Sequence, residues 1–196
     1  MPLKRSSKSQ LKKSGSANDF RLQGTDGIRR EVKLSSSEVM GLPPQEVFLK
    51  LGFITEEFME IYAYAHVKQL KLTGKVRAGD DIVIGWDPRN PRGDFTSAVV
   101  SGVCKAGANA LILGVVPTPL VPMYMLYKNA RGGFMVTASH NSNDQNGIKT
   151  FCSFRGLKPL PDNDIALTCA VLEVNSSTLR KLTLKGKRID SRKEAL

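Results

Sequence analysis

Cysteine and histidine are scarce in this chain, and long apolar runs are missing from it. The three cysteines, Cys104, Cys152 and Cys169, are odd in number and lack metal-ligand spacing. They argue against a disulfide scaffold or a zinc module and fit a reduced compartment. No stretch reaches the length of a membrane span, so no membrane partner is expected. Residues 1–18, MPLKRSSKSQLKKSGSAN, contain five Lys/Arg, no acid and no apolar segment. That pattern excludes a secretory signal and predicts a solvated, disordered basic tail on a cytoplasmic protein. Because the tail is Ser-rich and acid-poor, organelle targeting is the alternative.

Charge is abundant, but it sits at the ends. The net charge of +11 would raise nucleic acid or acidic surfaces as partners. Residues 1–18 and 180–196 each hold a surplus of five, which leaves 19–179 nearly neutral at about +1. No aromatic residues are interleaved with the basic ones, so nucleic-acid binding is the least favoured reading. The chain divides into the tail 1–18, one domain over 19–175 and a polar, basic linker or tail over 176–196. A length of 196 residues suffices for one full core.

Periodicity predicts a helix over 54–72. Thr55 is its cap, Glu56 and Glu57 suit the positive first turn, and Phe58, Ile61, Tyr62 and Ala65 form one face. His66 beside that stripe reads as a packing or surface residue. Residues 31–53 read as a loop-rich excursion in which Pro43-Pro44 forbids regular helix. Strands over 81–86, 110–115 and 132–137 alternate with helices over 94–106 and 119–129, the first stopped by Gly107. This β-α-β-α-β series predicts parallel neighbouring strands between helices. A last helix near 162–173 is expected to be capped by Asp162 or Asn163.

Residues 132–151, GGFMVTASHNSNDQNGIKTF, hold the densest chemistry. An apolar strand ends at Thr137, and Ala138-Ser139-His140-Asn141 breaks the pattern. Turn-forming Asn143, Asp144, Asn146 and Gly147 follow, and alternation then resumes around Lys149. A hydroxyl at a tight strand end, with an ammonium returning about ten residues later, suits covalent handling of a phosphoryl group. An ordinary polar loop is the competing reading. Neighbouring side chains in extended backbone face opposite ways, so His140 is no triad base for Ser139. No G-x-S-x-G elbow surrounds Ser139 either.

Four collinear segments extend that reading. The Thr137–Asn141 and Asn146–Lys149 pieces resemble the active-site loop of the α-D-phosphohexomutases, the phosphoglucomutase/phosphomannomutase family. Gly24-Thr25-Asp26-Gly27-Ile28-Arg29 is similar to that family's N-terminal motif. Ile82 to Arg89 resembles its strand followed by Asp-x-Arg, and Gly107 to Pro119 resembles its Gly-x-x-Pro-Thr-Pro run.

The resemblance implies a three-layer α/β/α sandwich with a mixed, mostly parallel sheet, as in the family's domain I. It implies that Ser139 carries a phosphoryl group, donates it to a hexose phosphate, and recovers the other phosphate from the bisphosphorylated sugar. Lys149 matches the family's acid/base or phosphoryl-steadying lysine, and a cation such as Arg29 could lower its pKa. His140 matches the histidine that orients substrate or phosphate. Asn141, Asn146, Thr25 and Asp26 are carried over as loop-shaping and phosphate-binding residues. Asp87 and Arg89 match a buried structural pair near the site. The resemblance also implies Mg²⁺, held through the phosphate of Ser139 and by a D-x-D-x-D loop of a second domain.

This sequence departs from the family pattern in places. Ser142 replaces a proline after the Ser-His-Asn, Arg30 replaces a glycine, and Pro91-Arg92 replaces Ser-Gly. Asp162-Asn163-Asp164 is the nearest approach to the metal loop and lacks its third carboxylate. The metal, sugar-reading and distal phosphate-binding domains have no counterpart here, so a chain supplying them is an expected partner. A catalytically inactive binding or regulatory module with the same fold is the alternative function.

Overall fold

In the computed structural model, described residues are 20–24, 27–35, 41–90, 92–152 and 161–193, with the side chains of 161 and 162 excepted. The expected tail 1–18 lies outside them, as do Thr25, Asp26 and Pro91. Seven strands form one sheet in the order β2-β1-β6-β5-β3-β4-β7. Its centre is the expected parallel core of β3 (Asp81–Trp86), β4 (Asn109–Val115) and β5 (Gly132–Val136). Hairpin strand β6 (Gln145–Cys152) returns antiparallel to β5, and β1 (Ile28–Val32) runs antiparallel to β6. The short β2 (Phe53–Ile54) adds a parallel edge to β1. The sheet is therefore mixed and mostly parallel. Its central strands are apolar on both faces because helices cover both.

The larger core lies on the face shared by Ile82, Ile84, Phe134, Val136 and Ile148, packed under α2 (Glu56–Leu72), α3 (Asp94–Lys105) and α5 (Pro161–Glu173). The smaller core gathers Val83, Met135 and Phe151 under α4 (Leu120–Lys128). Helix α2 starts as its sequence dictates: the Thr55 hydroxyl accepts from the Phe58 amide at 3.1 Å, with Glu56 and Glu57 in the first turn. Gly107, at φ 84°, ends the turn after α3.

Three expectations change. Pro43-Pro44 does not exclude helix: Pro44 opens a short helical segment, α1 (Pro44–Glu46) continued by a wider turn Val47–Leu51. A proline in a first turn gives up only an N–H that has no intrahelical acceptor. Asp162 and Asn163 do not cap α5, which already begins at Pro161. The basic stretch 176–193 is folded rather than a linker. It forms α6 (Ser176–Lys181), capped by the Asn175 side chain, and then β7 (Arg188–Asp190), which adds a parallel edge to β4.

His66 is a core residue, 4% exposed and edge-on to Phe134 at 5.3 Å between ring centroids. Neither ring nitrogen has a hydrogen-bond partner among the described residues. Burial, and secondarily the charge of Lys75, lowers its pKa to about 4. The unfolded imidazole binds its proton near pH 6.5. The unfolded state therefore holds more protons between these values, and stability falls as pH drops from about 6.5 to about 4. The loss from this group is about 3 kcal/mol. Urea midpoints measured across that range should slope for the native chain and flatten for His66→Leu; parallel slopes would contradict the assignment.

Candidate active site

The chemistry collects where β5 ends and β6 returns. Strand β5 delivers Thr137 and Ala138 into the interior and Ser139 to the surface. Ser139 adopts φ 58°, the left-handed region that costs an L-residue about 1 kcal/mol or more. This backbone turns its hydroxyl toward β6, where Lys149 Nζ donates to Ser139 Oγ at 3.0 Å. Lys149 is only 7% exposed. Burial, followed by the charge of Arg29, holds its ammonium below the ordinary lysine range.

Strand register explains the Arg29 effect. Arg29 lies opposite Gly147, and Met135 lies opposite Lys149. Arg29 and Lys149 are thus diagonal neighbours on one sheet face, within reach of long side chains. The approach of β1 to β6 requires glycine within β6 and immediately before β1. A Cβ on Gly147 would lie 1.9 Å from the Ile28 carbonyl oxygen, and one on Gly27 would lie 2.3 Å from that of Ile148.

The loop between Ser139 and Gln145 is wrapped around Arg89. Its Nη2 donates to the Ser139 carbonyl at 2.6 Å. Its Nη1 donates to the carbonyls of Asn141, Ser142 and Gln145 at 3.2, 3.1 and 3.0 Å. Nε faces the Asp87 carboxylate at 2.8 and 3.0 Å. Thr137 connects the two ends: its hydroxyl donates to Asp87 Oδ2 and accepts from the Ser139 amide at 2.8 Å.

The structure thus brings Ser139, Lys149 and Arg29 together, and it places His140 beside them. His140 is exposed and makes no hydrogen bond among the described residues. Asn141 bonds through Nδ2 to Gln145 Oε1 at 2.7 Å and braces the loop. Asn146, expected to touch phosphate, is 2% exposed, and its Oδ1 accepts from the Gly147 amide at 2.8 Å. It lies within β6, paired opposite Arg30 of β1. Gly147 likewise belongs to the strand and not to the turn. The grip of Arg89 on four carbonyls escaped sequence reasoning; the only available signal was the Asp-x-Arg pair itself.

Residues for a magnesium ion were tested on the same geometry. No group of three or more His, Cys, Asp or Glu side chains converges among the described residues. Asp164 instead accepts from Gln23 Nε2 at 3.1 Å and lies 3.9 Å from Arg21. These residues do not fit a divalent-metal site on their own.

A strained, surface-facing serine hydroxyl thus lies against a buried lysine where the central strand β5 of a mixed α/β/α sheet ends. Comparison with known proteins makes this particular. Residues 21–169 match the family model described as phosphoglucomutase/phosphomannomutase, alpha/beta/alpha domain I, and the chain belongs to that family.

A phosphoglucosamine mutase of Francisella tularensis subsp. holarctica is 37% identical over 130 residues, 66% of this chain and 25% of that protein. The phosphoglucosamine mutase of Ruminiclostridium cellulolyticum is 34% identical over 142 residues, 72% of this chain and 27% of that one. In fold the chain is similar to a Thermus thermophilus protein assigned as a phosphomannomutase, with TM-score 0.61 and 23% identity, over 87% of this chain and 33% of that one. It is also similar to a Burkholderia thailandensis phosphoglucomutase/phosphomannomutase family protein, with TM-score 0.54 and 20% identity, over 88% and 32%. The chain spans about a quarter of the length of the curated relatives it matches.

Proposed function

We propose that this chain is the phosphoserine domain of a phosphohexomutase, serving the interconversion of hexose 1-phosphate and hexose 6-phosphate. The observation that carries the reading is the 3.0 Å contact from Lys149 Nζ to the oxygen of a left-handed Ser139. In loading, Ser139 Oγ attacks a phosphorus of a hexose bisphosphate. The Oγ–P bond forms and the P–O bond to the sugar breaks; the hydroxyl proton leaves Oγ and ends on the sugar oxygen. Lys149, with its lowered proton affinity, is suited to relay that proton or to offset charge on the transferring oxygens. Arg29 adds a second cation, whose planar fork matches phosphate oxygens. His140, exposed beside the serine, is placed to meet the incoming phosphate.

Magnesium belongs to the proposal only through the phosphate of Ser139, because no carboxylate set among the described residues completes a site. The metal loop and the sugar-reading surfaces would come from further polypeptide or from a partner chain. The names of the curated relatives make glucosamine phosphates the first substrates to try, beside glucose and mannose phosphates.

Incubation with glucose 1,6-bisphosphate and Mg²⁺ should release about one equivalent of hexose monophosphate per chain, slowly and without continued turnover. Ser139→Ala should release none. Sustained mutase turnover by these 196 residues would refute the need for further domains. Equal release by Ser139→Ala would refute the role of the serine.

A further inference from the structure

We infer that Arg89 is a positioning residue for the nucleophile, holding Ser139 in its left-handed conformation by clamping the loop from both ends. The inference rests on the reading of Ser139 as phosphoryl carrier and assigns a cause to its geometry. Both backbone groups of Ser139 are tied to one ion pair. Its carbonyl accepts from Arg89 Nη2 at 2.6 Å, and its amide donates to Thr137 Oγ1, which donates in turn to Asp87. Asp87 holds the guanidinium at Nε, and its Oδ1 also accepts from the Arg89 amide at 3.2 Å.

The remaining Arg89 donors go to carbonyls from three further positions of the same turn, Asn141, Ser142 and Gln145. Convergence of four carbonyl oxygens on one point is unfavourable unless a cation fills it, and the guanidinium is that cation. The Arg89 side chain is 8% exposed, so the guanidinium is largely withdrawn from water although the bonds to the Ser139 and Ser142 carbonyls lie at the surface. Its guanidinium is turned inward, bonded to loop carbonyls and to Asp87, and acts on the reaction through the backbone of Ser139.

An ammonium cannot reproduce this fork, because lysine has three donors at one point and no planar pair. Arg89→Lys therefore keeps the charge and loses the clamp. Two readouts separate positioning from mere stability: the rate of Ser139 phosphorylation from glucose 1,6-bisphosphate, and the ¹³Cα and ¹³Cβ shifts of Ser139, which report its backbone region. Arg89→Lys is expected to load at least about tenfold more slowly, with Ser139 shifts leaving the left-handed range. Should that variant fail to fold, the double variant Asp87→Asn/Arg89→Met removes the unpaired carboxylate charge and is read the same way.

Wild-type loading rates in a folded variant would overturn the inference. So would slow loading with Ser139 still left-handed. If the unsubstituted chain takes no phosphate even with Mg²⁺ and the complementary domains of a relative supplied, the carrier reading fails, and the serine shifts alone decide the positioning role.

Discussion

Substituting Lys149 by methionine is expected to slow phosphorylation of Ser139 by about 100- to 1,000-fold, the usual cost of removing one aimed donor from a reacting oxygen. Methionine is close to lysine in length and apolar, so the sheet face around Met135 and Phe151 should accept it with little loss of packing. The substitution also removes an ammonium that burial and Arg29 already disfavour, so stability near neutral pH should hold or rise. The sign of that effect follows from linkage. A lysine whose folded pKa is depressed binds fewer protons folded than unfolded in the window between the two values. Its presence therefore makes stability climb with pH through that window, and the methionine variant should lack the climb. Loading by the native chain should rise toward alkaline pH as the amine loses its proton, with a midpoint below that of an ordinary lysine. Stopped-time phosphate analysis at several pH values checks this; a pH profile shared by wild type and Lys149→Met would exclude a proton role for Lys149.

Gly147→Ala should cost about 3 kcal/mol or more in urea unfolding, an effect at the upper end for one methyl group. The added carbon would meet the Ile28 carbonyl at 1.9 Å, and backbone in a paired strand cannot step aside. Relief requires β1 to move off β6, which would draw Arg29 away from Lys149. The variant should therefore lose loading beyond what its stability predicts, and Lys149 should regain a higher pKa. Gly24→Ala is the comparison: its Cβ would meet nothing closer than 3.6 Å, so a change within about 0.5 kcal/mol is expected. Equal stability of the two variants would contradict the close crossing of β1 and β6.

Much of this architecture is legible in the sequence because strong local signals agree with the fold. Thr55 with two following glutamates fixes the start of α2, and the three apolar strands with their intervening helices give the parallel core. The Ser139–Lys149 pairing is legible for a related reason. A polar turn between two apolar strands makes a hairpin, which returns Lys149 beside Met135 near the end of β5; the left-handed Ser139 and the length of the lysine side chain close the remaining gap.

What stayed hidden depends on partners distant in sequence. Strand β7 is three residues long, polar and at an edge, so it carries no hydrophobic period. Gly147 reads locally as a turn glycine, and only the passage of β1 shows why no side chain fits. Asn146 reads as a polar loop residue, yet pairing with β1 buries it. The acceptors of Arg89 are backbone carbonyls, which every residue possesses and no sequence advertises. The main cluster of the site was therefore visible beforehand, while the device that shapes it was not.

Peptide mapping after exposure to a hexose bisphosphate tests the central claim most directly. A single phosphate on Ser139, absent from Ser139→Ala and strongly reduced in Lys149→Met, is the result predicted here. Phosphate found on another residue, or none after prolonged incubation with both Mg²⁺ and the complementary domains of a relative supplied, would contradict it.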